Sequence, residues 1–190
     1  HNMKHMSILA VSLLALVACT PEKKQEADYS QYVNPMIGTD FTGNTYPGAQ
    51  VPFGMVQLSP DNGLPGWDRI SGYFYPDTTI AGFSHTHLSG TGAGDLYDIS
   101  FMPVTRPYKE APAPLGIYST FSHNDEAASA GYYRVLLKDY NINVELTATE
   151  RCGIQRYTFP EAEASVFLNL KKAMNWDFTL DSKIEVVDST

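Results

Sequence analysis

Ile142-Asn143-Val144-Glu145-Leu146-Thr147-Ala148-Thr149 alternates apolar and polar side chains without a break. A period of two places Ile142, Val144, Leu146 and Ala148 on one face and the polar residues on the other, the pattern of a half-buried strand. Neighbouring stretches read the same way. Tyr132–Lys138, Gly153–Phe159, Ala164–Leu170 and Lys183–Val187 are short runs rich in Val, Tyr, Phe, Leu and Ile, which favour strands. Nearer the N-terminus, Met55–Leu58, Gly72–Tyr75, Ile80–His85 and Ile99–Val104 are shorter candidates. Pro and Gly punctuate between them at Asn34-Pro35, Pro47-Gly48, Pro65-Gly66 and Pro112–Pro114. No segment sustains a 3.6-residue period, and Asp125–Ala130 is the one stretch that reads as a helical turn. Many short strands separated by turn signals predict an all-β chain folded as a β-sandwich. Asn34–Gly72 carries too many Pro and Gly residues for much regular structure, and loops of that length in a compact domain are usually functional.

The N-terminus reads as a targeting segment. Met6–Val17 is apolar apart from Ser7 and Ser12. It is shorter than the roughly 20 residues a spanning helix needs and fits the apolar core of a signal peptide. The run ends Leu16-Val17-Ala18-Cys19, an apolar residue and a small residue before cysteine, as in bacterial lipoproteins. The expectation is a signal peptide over 1–18, acylation at Cys19, and a polar, charged tether to residue 31. Residues 32–190 would then form one domain, cut short at its C-terminal end. Acyl chains on one cysteine would hold it on the bacterial outer membrane, at the surface or the periplasmic face.

The whole chain carries a formal charge of −8, and loss of Lys4 with the leader makes the mature chain one unit more acidic. Such a chain repels phosphate backbones, which argues against a nucleic-acid partner. With Cys19 acylated, Cys152 has no cysteine to pair with, so no disulfide framework is expected. Lying beside Gly153 in a strand-like run, Cys152 reads as a buried structural thiol.

Chemistry concentrates in Gly82–Asp95, which holds two histidines, two serines, two threonines, an aspartate and four glycines in fourteen residues. Glycine lets backbone approach a ligand closely, and short polar side chains supply donors and acceptors. The stretch suits a small, hydroxyl-rich molecule. If it is a strand, His85 and His87 lie on one face about 7 Å apart. They then either ligate a metal, touch substrate hydroxyls, or hydrogen-bond to hold the loop. Zinc would need further ligands, and His123 is the only other histidine beyond the leader. Gly90-Thr91-Gly92-Ala93-Gly94 lacks the Gly-Lys-Ser/Thr ending of a phosphate loop. Gly66-Trp67-Asp68-Arg69 puts an indole in a polar loop, where such rings stack on sugars, line pockets, or cover a domain edge. Asn175-Trp176-Asp177 has the same character. Asp40, Asp61, Asp68, Asp77, Asp95 and Asp98 are available carboxylates, and no Gly-x-Ser-x-Gly nucleophile motif occurs.

Several motifs in order carry a family resemblance. They are Tyr32-Val33-Asn34-Pro35-Met36-Ile37-Gly38-Thr39, Tyr46-Pro47-Gly48-Ala49, Val51-Pro52-Phe53-Gly54-Met55, Gly72-Tyr73 and Gly82–Gly92, with Pro103 after the next strand. From about Tyr32 onward the chain resembles the N-terminal domain of glycoside hydrolase family 92, calcium-dependent exo-α-mannosidases of gut Bacteroidetes that trim terminal mannose from glycans with inversion. The resemblance implies a β-sandwich packed on a C-terminal (α/α)6 domain, with the active site between them. It also implies that the catalytic carboxylates and most calcium ligands lie in that second domain. No catalytic residue or metal ligand is then expected in these 190 residues, and the piece alone is expected to be inactive. Trp67, Asp68, His85, His87, Ser89 and Thr91 are the candidate substrate-binding residues that would shape the mannose pocket. The reading from another class is a lipoprotein that binds glycans without cleaving them.

Overall fold

A computed structural model describes residues 27–90, 92, 94, 96–161, 163–170 and 179–188. The described residues contain twelve strands, no α-helix and three single 3-10 turns. The strands are β1 (Ser59–Asp61), β2 (Thr79–Ile80), β3 (Gly82–Ser84), β4 (Ser100–Thr105), β5 (Glu110–Ala111) and β6 (Gly116–Ile117), followed by β7 (Ser119–Thr120), β8 (Glu126–Ser129), β9 (Tyr132–Leu137), β10 (Ile142–Ala148), β11 (Gly153–Thr158) and β12 (Ala164–Asn169). Two four-stranded sheets, ordered β1-β3-β4-β12 and β11-β10-β9-β8, carry the fold; β2-β7 and β5-β6 are small ribbons. All pairs are antiparallel.

The alternation quoted first is the inner face of β10. Ile142, Val144, Leu146 and Ala148 are buried while Asn143, Glu145 and Thr147 are not. Their register opposite Leu137, Val135 and Tyr133 of β9 stacks matching apolar faces. Phe83 of β3 and Met102 and Val104 of β4 belong to the same buried cluster. The two sheets therefore face each other across one core, the sandwich arrangement in which inner faces alternate with outer polar ones. Each fully buried aliphatic or Phe side chain there contributes about 1.5–3 kcal/mol by leaving water.

Three expectations need correction. Asp125–Ala130 is not helical: a 3-10 turn at His123–Asp125, capped by Ser122, leads into β8. Ladder pairing of Glu126–Ser129 with β9 overrides the helix preference of the alanines. Cys152 is exposed, because it sits in the β10–β11 turn, where the Thr149 N–H donates to its carbonyl at 2.8 Å. Lys183–Val187 forms no strand and is exposed. Among the shorter candidates, Met55–Leu58 contributes only a bridge from Leu58 to Ala49, and Gly72–Tyr75 is irregular. Ile80–His85 changes partners midway, with Ile80 on β7 and Phe83 on β1 and β4.

Candidate functional site

Strand β3 ends at Ser84, so the two-residue spacing of His85 and His87 no longer sets a common face. Their rings lie in separate hollows. The His85 Nδ1–H donates to the Ile99 carbonyl at 2.9 Å, and its ring meets Phe101 edge-on at 5.7 Å. Gly153, Gln155, Tyr157 and Val166 complete that hollow. His87 turns inward, 2% exposed. Its Nδ1 lies 2.7 Å from the Gln57 carbonyl, an acceptor only, so Nδ1 carries a proton. Its Nε2 lies 2.8 Å from Asp61 Oδ1 and 3.1 Å from Ser84 Oγ. The imidazole and carboxylate form a fully buried, hydrogen-bonded pair. Ser84, His87 and Asp61 do not form a nucleophile relay, since Ser84 and Asp61 meet the same nitrogen.

Tyr46 lies across His87, with ring centroids 5.1 Å apart, and its hydroxyl donates to Gln50 Oε1 at 2.7 Å. Burial pushes the Tyr46 phenol up to about 12. Tyr46, Gln50 and Ser89 line two adjoining hollows, one completed by Val33, Ile37 and Pro52, the other by His87, Leu88 and Phe53. This continuous surface offers hydroxyls, an amide and an aromatic face together. Ser89 is exposed upon it, and the Gly90 N–H anchors the loop to the Asn44 carbonyl at 2.7 Å. Thr91 falls outside the described residues. Sequence reasoning missed Tyr46 and Gln50 as site residues; the Tyr46-Pro47-Gly48-Ala49 motif was a signal for Tyr46, and Gln50 lies just beyond it.

Trp67 and Asp68 sit in a 3-10 turn, Trp67–Arg69. The turn is pinned by Arg69, which grips Asp77 through Nε at 2.6 Å and a second guanidinium nitrogen at 2.5 Å and lies 4.6 Å above the Phe74 ring. Asp68 adds to the field that keeps Arg69 charged. Trp67 is held 54% exposed by this anchored turn. The turn passes directly into Gly72, whose N–H donates to the Arg69 carbonyl at 2.9 Å. Gly72 has φ +86°, and a Cβ there would lie 2.7 Å from Asp61 Oδ1 and 2.9 Å from Tyr97. Glycine is therefore required twice over, by backbone and by contact. Gly72→Ala is expected to lower stability by about 2 kcal/mol or more, measured as a drop in urea midpoint. A loss under about 0.5 kcal/mol would show that the Asp61–His87 pair yields easily.

The other candidate carboxylates are engaged locally. Asp40 accepts the Phe41 N–H at 2.7 Å and Asp98 the Thr86 hydroxyl at 3.3 Å, while Asp95 is outside the described residues. Among the described residues, no three of His, Cys, Asp and Glu converge as metal ligands. Among the described residues, the histidine metal site is therefore not assembled.

Residues 32–190 match the model of the glycosyl hydrolase family 92 N-terminal domain. The chain belongs to that family. A family 92 α-mannosidase of Bacteroides thetaiotaomicron, solved in complex with mannoimidazole, is 44% identical and superposes with a TM-score of 0.72, over 77% of this chain and 20% of its own. An inverting family 92 mannosidase of the same organism is 31% identical with a TM-score of 0.60, over 75% of this chain and 20% of its own. A protein of Arthroderma benhamiae described as a secreted glycosidase is 26% identical over 85% of this chain and 21% of its length. The family 92 domain described here thus spans about a fifth of these relatives.

Proposed function

We propose that the full-length protein is an exported exo-α-mannosidase that removes terminal mannose from glycans with inversion and requires calcium, and that this domain forms one wall of the mannose pocket. The carrying observation is the family match over 32–190, supported by likeness to an α-mannosidase solved with mannoimidazole. In this reading Tyr46, Gln50 and Ser89 present the polar wall, Trp67 offers a stacking face, and His87, buried behind the wall and paired with Asp61, keeps it rigid rather than touching substrate. His85, in its own hollow, and Asp68, beside Arg69, support the loops. The catalytic carboxylates and the calcium ligands belong to the rest of the polypeptide, the catalytic domain on which this one packs. Cys19 is the proposed acylation site that holds the enzyme on the outer membrane.

The test is mannose release from an α-linked mannobiose by the full-length protein, with and without a chelator. Release that disappears on chelation and returns with calcium supports the reading. No release under any condition would favour a glycan-binding lipoprotein, to be examined next by binding. A finer test is Trp67→Ala. Because the indole is half exposed on a pinned turn, its loss should leave the fold intact while kcat/KM drops about tenfold or more. An unchanged kcat/KM would remove Trp67 from the pocket.

A further inference from the structure

Phe53 stands out on the rim of the Tyr46–Gln50–Ser89 surface. Its side chain is fully solvent-exposed and its φ is +60°. It follows Pro52 in a tight turn closed by the Gly54 N–H on the Val51 carbonyl at 3.0 Å. A turn with Pro second and a left-handed third residue normally carries Gly or Asn at that third place. Here a bulky aromatic occupies it, and glycine comes one residue later. A conformation of this kind persists only where its surroundings over-determine it, and they do. The Met55 N–H donates to the Glu150 carbonyl at 2.7 Å, and Gln57 Nε2 donates to the Gly54 carbonyl at 2.7 Å. A Cβ on Gly54 would crowd the Val51 side chain at 3.0 Å, so that neighbour would have to give by a few tenths of an ångström. The turn is thus a fixed mount that holds an apolar ring in water, beside the Tyr46 and Gln50 polar groups.

The geometry points to Phe53 as a specificity-determining residue: an aromatic platform for the sugar on the leaving-group side of the scissile bond. This rests on the α-mannosidase reading of the full-length protein. A sugar ring presents an apolar C–H face and a rim of hydroxyls. The exposed Phe53 ring meets the first, and the Tyr46, Gln50 and Ser89 groups of the adjoining surface meet the second.

The experiment compares α-linked mannobiose with methyl α-mannoside as substrates of the full-length enzyme, for wild type, Phe53→Ala, Phe53→Gly and Phe53→Tyr. The ratio of the two kcat/KM values, mannobiose over methyl mannoside, is expected to fall about tenfold in Phe53→Ala, chiefly through a higher KM for mannobiose. Phe53→Tyr should restore it. Phe53→Gly should show the same loss with an equal or higher Tm, because glycine relieves the left-handed backbone. A ratio that stays at the wild-type value overturns the assignment. If it does so while Tm falls in Phe53→Ala, the ring is a packing contact with the rest of the polypeptide. Wild-type protein that cleaves neither substrate would instead sink the mannosidase reading itself, a result separable from a platform failure.

Discussion

Glu126→Ala is expected to destabilise the domain by about 3–5 kcal/mol, a large share of the roughly 5–15 kcal/mol by which a typical domain is stable. The Glu126 carboxylate is 1% exposed and accepts from three side chains. Tyr73 donates at 2.9 Å, Tyr133 at 2.5 Å and His123 Nδ1 at 2.7 Å. The other nitrogen of His123 faces the Tyr75 carbonyl at 2.7 Å, so the ring uses both N–H groups when both bonds are made. It also stacks on the Tyr75 ring at 3.9 Å. Burial, with the carboxylate adding to it, pushes both the Tyr73 and Tyr133 phenols up, so both remain protonated donors. Tyr133 comes from β9 and Tyr73 from the loop after β1, and Glu126 clamps them together. Alanine leaves two fully buried hydroxyls without their acceptor, and each hydrogen bond to a charged group is worth about 1.5–3 kcal/mol. Glu126→Gln should fall between, because its amide NH2 meets donors where the carboxylate met them with lone pairs. The measurement is the urea midpoint at constant m-value. A loss under about 1 kcal/mol in Glu126→Ala would mean that water replaces the carboxylate at little cost.

Nothing in the local sequence announces this clamp. Residues 73, 123, 126 and 133 share no spacing; they meet because β8 pairs with β9 and the chain after β1 folds over the end of the sheet. The core strands were legible for the opposite reason. In β9 and β10 the period of two is set by which face meets the core, and that face is written into consecutive residues. Periodicity describes amphipathicity and not the presence of a ladder partner, which is why Lys183–Val187 carries the pattern without forming a strand. The same limit separated His85 from His87, whose common face depended on β3 continuing past Ser84. Cys152 looked buried by its neighbours, yet the hairpin needed those residues for its turn. Trp67 was legible because an indole among Gly, Asp and Arg has few apolar neighbours to hide it, and the structure leaves it half exposed.

His87→Leu is expected to cost about 3–5 kcal/mol, and Asp61→Leu distinctly less, about 1–2 kcal/mol. Both side chains are fully buried, and the asymmetry follows from where each hydrogen bond goes. Without Asp61, the imidazole keeps its Nδ1–H on the Gln57 carbonyl. The Ser84 hydroxyl, 3.1 Å from Nε2, can then rotate to donate to it. The remaining cost is that of seating the bulkier leucine in a tight site and of the hydrogen bonds that the carboxylate made. Without His87, the Gln57 carbonyl loses its donor, and the Asp61 carboxylate loses the imidazole beside Oδ1 in a site closed to water. Ionised, it has lost the imidazole N–H that faced Oδ1 in a buried site; protonated, it presents a donor that leucine cannot accept. The double variant should therefore be less damaged than the sum of its parts, with a coupling of about 1–3 kcal/mol in a double-mutant cycle. Strict additivity would show that the two side chains act independently. Equal losses in the single variants would show that Ser84 does not take over. Because Gly72 and Tyr46 rest directly on this pair, the same substitutions should also loosen the wall that carries Gln50 and Ser89. If the full-length protein is the proposed mannosidase, its mannose release should then fall more steeply in His87→Leu than in Asp61→Leu, even at temperatures where both variants remain folded.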